Sequence, residues 1–257
     1  MNAYLLTGNA RYLDAWRTQM DTISARGRLE NGRRMTPRMY GTQGWYAYEP
    51  GDYNLNALEL YFLSWHADDR RRVPSNPWLD YLDGKNPDYP VRALRGELAR
   101  IRERVQGMRA DTTTPDTRLA DDPMDFNPAS VTALIQLAEG GLHITRRAAP
   151  LHCRLRYFDP ERRRAGLPED MAALVEAIGP DSVTVSLVNT NQLETRSVVL
   201  QAGAYAEHQF LSVTADAGET PVDAPVLTVR LEPGCGGRLM LRMRRFANAP
   251  RLAFPFR

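Results

Sequence analysis

The sequence predicts an α+β protein, helical over residues 1–145 and an antiparallel β-sandwich over residues 146–257. Three observations carry that expectation. Apolar residues recur at spacings near 3.6 in the first part, the period changes to 2 past Pro150, and between 182 and 246 five short alternating segments follow one another. With 43% hydrophobic residues and four Trp in 257 residues there is enough apolar surface for real cores. A disordered tail, a collagen-like repeat and a coiled coil are thereby excluded. Domains most often run to ~100–150 residues, so two are expected.

Residues 9–26, NARYLDAWRTQMDTISAR, place Tyr12, Leu13, Trp16, Met20 and Ile23 on one helical face, with Asn9 as N-cap and Gly27 past the end. Residues 38–53, RMYGTQGWYAYEPGDY, are too interrupted for a helix and too irregular for a strand pair, so they read as a long loop. Residues 54–66, NLNALELYFLSWH, return to helical character on Leu55, Leu58, Tyr61, Phe62 and Trp65, and two short helical pieces follow. The clearest helix is 90–109, which opens on Pro90 and sets the stripe Leu94, Leu98, Ile101, Val105 and Met108 against Arg-rich outer positions. A polar loop over 110–126 comes next, then a helix starting at Asn127 and Pro128 and ended by Gly140-Gly141.

The boundary between the two parts is expected at 142–150. Beyond it come a strand at Leu151–Phe158, a short helix near Pro168–Ile178, and strands at 182–189, 195–201, 207–214, 226–232 and 237–246. Pro233-Gly234 and Gly236-Gly237 supply a turn to join the last two. Half-buried strands at such spacing imply a sandwich.

Charge selects no ligand. Thirty-three Lys and Arg against thirty-one Asp and Glu are mixed along the chain without a basic block, so nucleic acid is not an implied partner. No stretch reaches the ~20 apolar residues of a membrane span, so no membrane partner is expected. No export signal is visible after Met1, which leaves the compartment unencoded. Cys153 and Cys235 define neither a disulfide framework nor a zinc site and are expected to be buried free thiols. His66, His143, His152 and His208 show no metal-ligand spacing, and phosphate-loop and dinucleotide fingerprints are missing, so neither a metal nor a cofactor is expected.

The run Tyr4-Leu5-Leu6-Thr7-Gly8-Asn9-Ala10-Arg11-Tyr12-Leu13 resembles the "Tyr-x-x-Thr-Gly-Asp-x-x-Tyr-Leu" helix junction of α/α-toroid proteins, the six-hairpin glycosidase-like superfamily, with Asn9 where Asp is usual. Leu187–Thr190 and Leu231–Gly234 are similar to the "Leu-Val-Asn-Thr" strand and "Leu-x-Pro-Gly" hairpin of the sandwich modules that follow such toroids. The resemblance implies incomplete α/α-toroid-like helical hairpins followed by an antiparallel β-sandwich. A closed ring of twelve helices needs upwards of ~300 residues. The chain would then be the carboxyl-terminal portion of a carbohydrate-active hydrolase, lyase or epimerase, partnered by a missing amino-terminal portion. A smaller helical bundle packed on a sandwich is the alternative. On the first reading Trp16, Leu58 or Phe62 should sit on exposed apolar surface.

Arg38, Tyr40, Trp45, Tyr46, Tyr48 and Tyr53 combine flat apolar faces with Glu49 and Asp52, the mixture that a sugar ring or another small-molecule substrate needs. Arg38, Tyr40, Trp45 and Tyr46 are the candidate binding residues. Glu49, Asp52 and Asp122 are the candidate catalytic carboxylates, since glycoside hydrolysis uses one protonated and one ionised carboxyl. Against this stand two blander readings, in which the aromatics anchor a long loop and the Asp-rich segment 110–126 supplies caps and turns. A non-catalytic binding or scaffolding protein, and a toroid enzyme acting on a non-sugar substrate, are the competing functions.

Overall fold

The computed structural model describes residues 2–114, 128–142 and 150–256. The chain divides into two compact units, Met1–Asn76 and Pro77–Arg257. The segment 142–150, where the hydrophobic period changes, lies within the second unit, and 143–149 fall outside the described residues.

The first unit begins with two helices, α1 (Asn2–Thr7) and α2 (Arg11–Ser24), joined as their residues dictate. Gly8 takes φ +62° and its N–H returns to the Tyr4 carbonyl at 2.7 Å, while Asn9 Oδ1 accepts from the Arg11 N–H at 3.1 Å. After α2 come three antiparallel strands, β1 (Arg28–Glu30), β2 (Arg33–Gly41) and β3 (Gly44–Pro50), in the order β1-β2-β3. A Cβ at Gly27 would stand 3.0 Å from both the Ser24 carbonyl and Thr36 Cγ2, so the passage from helix to sheet needs glycine. Two further helices, α3 (Ala57–Ser64) and α4 (Ala67–Arg72), complete the unit. Its core is made by Leu5, Leu13, Met20, Ile23, Leu60, Phe62 and Leu63.

One buried charge ties α2 to α4. Asp69 is fully buried and accepts from Arg17 Nε at 3.0 Å, Arg17 Nη2 at 2.6 Å and Ser64 Oγ at 2.6 Å. Burial alone would push this carboxyl up, but the donors Arg17 and Ser64, with the nearby Arg72 charge, hold it below the usual range.

The second unit contains α5 (Pro77–Leu82), α6 (Tyr89–Ala110) and α7 (Thr132–Glu139) together with two larger antiparallel sheets. One sheet runs β13-β10-β6-β7, from β6 (Leu155–Asp159), β7 (Arg164–Ala165), β10 (Arg196–Ala202) and β13 (Val226–Leu231). The other runs β12-β11-β14-β9-β8, from β8 (Met171–Ile178), β9 (Ser182–Asn189), β11 (Gln209–Ala215), β12 (Gly218–Ala224) and β14 (Gly236–Arg244). The short strands β4 (Gly141–Leu142) and β5 (His152–Cys153) pair separately. Leu155, Tyr157, Val198 and Leu200 of the first sheet share a core with Val175, Val183, Val185, Phe210 and Leu241 of the second, the period-2 residues of each strand. Two phenols fasten the helices to the sheets: Tyr157 Oη donates to the Ala138 carbonyl at 2.7 Å, and Tyr81 Oη to the Val175 carbonyl at 3.1 Å.

Several expectations are corrected. The incomplete α/α toroid and the resemblance to the six-hairpin glycosidase-like superfamily are overturned; of the predicted fold class only the coarse α+β description holds. Five of the seven helices described are too brief for ring hairpins: α1, α4 and α5 have six residues each and α3 and α7 eight, and even eight residues span only ~12 Å. The aromatic segment 38–53 is largely strand, not loop. Phe62 is core at 4% exposure, and Trp16 and Leu58 are half-buried, so no broad apolar face opens at these three positions. Pro168–Ile178 yields strand β8 instead of a helix, because MAALVEAI pairs along β9 and buries Met171 and Val175 there. β13 and β14 are not a hairpin: the tight turn closed by Cys235 N–H to the Glu232 carbonyl, 3.0 Å, carries the chain from one sheet to the other. Of the two thiols, Cys153 is buried and Cys235 exposed.

Candidate functional site

The β2–β3 hairpin carries the predicted binding residues, and its register sorts them by face. Tyr40 lies opposite Trp45, Thr36 opposite Glu49, and Met39 opposite Tyr46. Directly paired residues point the same way and neighbours along a strand point oppositely. Arg38, Tyr40, Trp45 and Glu49 therefore share one face, and Tyr46 lies on the other with Met39, Pro37 and Tyr48.

On the shared face Tyr40 is 68% exposed, and its ring meets Trp45 edge-on at 4.9 Å between centroids. Arg38 Nε donates to Glu49 Oε2 at 2.8 Å, and its guanidinium also lies over the Tyr53 ring, 5.4 Å from the centroid. Tyr53 continues into a cavity of about 110 Å³ lined also by Trp16, Gln19, Met20, Leu55 and Asn56. The result is a run of ring faces, guanidinium, carboxylate and amides along one side of the first unit. Gln19 and Asn56 are lining residues that the sequence reading missed; they sit between helical apolar positions with nothing in their own pattern to mark them.

Of the predicted catalytic carboxylates, the two that are described are each engaged by an arginine. Glu49 is held by Arg38, and Asp52 Oδ1 accepts from Arg34 Nε at 2.6 Å. Both side chains remain well exposed, at 63% and 59%, whereas a carboxyl that must stay protonated near neutral pH needs a dry, apolar setting. Asp122 lies outside the described residues.

A second constellation in the other unit escaped the sequence reading. Glu139 at the end of α7, with His152, Cys153 and Arg154 on and after β5, and Glu207 and His208 before β11, are embedded in the protein. Burial raises Glu139 to about 7 and lowers His152 to about 4. Glu139 Oε2 and His152 Nε2 are buried without a hydrogen-bond partner among the described residues. Burial, with the charges of Glu139 and Glu207, pushes the Cys153 thiol well up, so it stays protonated. Glu207 accepts from the Tyr205 N–H at 2.7 Å, and His208 Nδ1 from the Phe246 N–H at 3.0 Å, which are positioning bonds within the fold. These residues are scattered along the sequence, and only their burial groups them.

By class, the chain is an α+β protein with two antiparallel sheets sharing a core in one unit and an aromatic hairpin in the other. A family model described as a domain of unknown function, DUF8034, matches residues 71–135, which take in α5, α6 and the start of α7 but not the hairpin. No curated protein and no solved structure matches the chain.

Proposed function

We propose that the protein binds carbohydrate without transforming it, through the hairpin face that carries Arg38, Tyr40, Trp45 and Glu49. The observation that supports this reading is the exposed Tyr40 ring set against Trp45, on the same face as an ion pair with open edges. The C–H faces of a sugar stack on such rings, and its hydroxyls meet the carboxylate and guanidinium at their side. The cavity beyond Tyr53 is smaller than the ~300 Å³ of an ordinary ligand pocket and suits one substituent of a longer chain. Binding without hydrolysis follows from the engagement of Glu49 and Asp52 by arginines in open solvent.

Affinity electrophoresis through gels containing soluble polysaccharides tests it. At least one glycan should retard the protein, Tyr40→Ala and Trp45→Ala should abolish the retardation, and Tyr46→Ala, altered on the opposite face, should not. Mobility indifferent to every glycan, or equal losses from all three substitutions, would count against this reading.

A further inference from the structure

The second unit holds a larger cavity, about 220 Å³, between α6 and α7. Its α6 wall is the stripe Arg92, Gly96 and Arg100, at i, i+4 and i+8 of one helical face, with the two arginines ~12 Å apart along the axis. Thr132 and Gln136 stand on its α7 wall. Tyr89 Oη donates to Gln136 Oε1 at 2.5 Å, which leaves the Gln136 amide N–H groups as donors. Arg92 is steadied by a hydrogen bond to Asn86 Oδ1, and neither Arg92 nor Arg100 has an ion-pair partner among the described residues.

Arg92, Gly96 and Arg100 are exposed, so the cavity opens to solvent along α6, and two features of its lining bear on what it could hold. The α7 amino-terminus is already satisfied from inside, because Glu97, 5% exposed, accepts from Ser130 Oγ at 2.6 Å and from the Ala133 N–H at 2.8 Å. Its carboxylate is thereby occupied as a cap, and with Arg92 and Arg100 the cavity lining keeps one net positive charge. As at Gly107 of the same helix, no described neighbour requires glycine at Gly96. A Cβ there would meet nothing within 4 Å, and its φ is not positive, yet glycine inside a helix costs ~1 kcal/mol relative to alanine. Among the described residues nothing fills the space beside Gly96, midway along the helix between the two guanidiniums.

We propose that this cavity binds a small, doubly charged oxyanion, gripped by Arg92 and Arg100 across the Gly96 notch and oriented by the Gln136 amide. Arginine forks match phosphate and carboxylate oxygens, and the amide donates to the same acceptors. All the lining residues except Gln136 fall in the segment matched by the domain of unknown function, so the site belongs to a different part of the chain from the hairpin and stands independently of the carbohydrate reading.

Isothermal titration of the full chain with inorganic phosphate, with succinate and with glycerol tests the proposal. Phosphate tests a single-centre anion and succinate one charged at both ends; glycerol is the neutral control. Saturable one-to-one binding of either anion, weakened about tenfold or more by Arg100→Ala or Arg92→Ala, is expected. Arg26→Ala, an exposed arginine of the other unit, should leave it unchanged. Gly96→Leu separates ligand clearance from packing: it should raise the melting temperature, since leucine is the better helix former, while abolishing binding. No heat from either anion, or binding that survives Gly96→Leu and both arginine substitutions, would overturn the proposal.

Discussion

Asp69 is the residue on which the first unit is most exposed to a single change. Its carboxylate is fully buried and accepts from three donor atoms, two of Arg17 and one of Ser64, so Asp69→Ala leaves the Arg17 guanidinium with Asp14 alone. Arg17 keeps a quarter of its side chain in solvent and can partly rehydrate, which places the expected loss at ~3 kcal/mol, to be measured by urea unfolding. Two residues of the second unit make its stability depend on pH in opposite senses. Glu139 ionises at about 7 in the folded protein, above its ordinary 4.5, so its stabilising contribution is complete below ~4.5 and disappears as pH rises through 7, ~3 kcal/mol in all. His152 titrates at about 4, below its ordinary 6.5, so its contribution is complete above ~6.5 and disappears as pH falls through 4. The two contributions run in opposite senses over pH ~4.5–6.5 and nearly cancel, so the melting temperature should be almost flat there, and Glu139→Gln should make it rise with pH across that window on the His152 contribution alone. None of this is legible in the sequence, since Glu139 closes an ordinary amphipathic stretch and is buried only by strands distant in sequence that pack against α7.

Among the elements, local chemistry was read more reliably than pairing. The Gly8-Asn9 junction forms as its residues demand, and α6 runs from Tyr89 to Ala110, within a residue of the periodic stretch. The hairpins of the first unit are not read from the sequence even though Asn31-Gly32, both with positive φ, joins β1 to β2 in a two-residue turn. The flanking β2 and β3 lack strict alternation, because Pro37 and the left-handed Ala47 interrupt it, and the aromatic positions therefore looked like loop. The candidate site was half legible for the same reason: the residue types were recognised, but their division between two faces needs the register. At the start of α7 the Glu97 cap comes from 36 residues upstream, beyond the reach of any neighbouring-residue rule. Glu97→Ala leaves the Ala133 N–H without its acceptor and should cost ~1–2 kcal/mol, with faster amide exchange confined to the first turn of α7.

At the scale of the molecule, a ten-residue junction did not define a fold. Gly followed by a capping Asn ends one helix and starts another in any architecture, so the likeness to toroid proteins was faithful to the turn and silent about what the helices pack against. Here they pack beside a three-stranded sheet in one unit, while the later helices join the two larger sheets in the other. Each unit has its own core, and calorimetry should resolve two transitions, of which Asp69→Ala lowers one and Glu139→Gln shifts the other. The unequal setting of the two cysteines gives that opening a direct readout. A thiol reagent should modify Cys235 at once and spare Cys153 for as long as β5 stays covered, so the second equivalent consumed counts the molecules whose second unit has come apart.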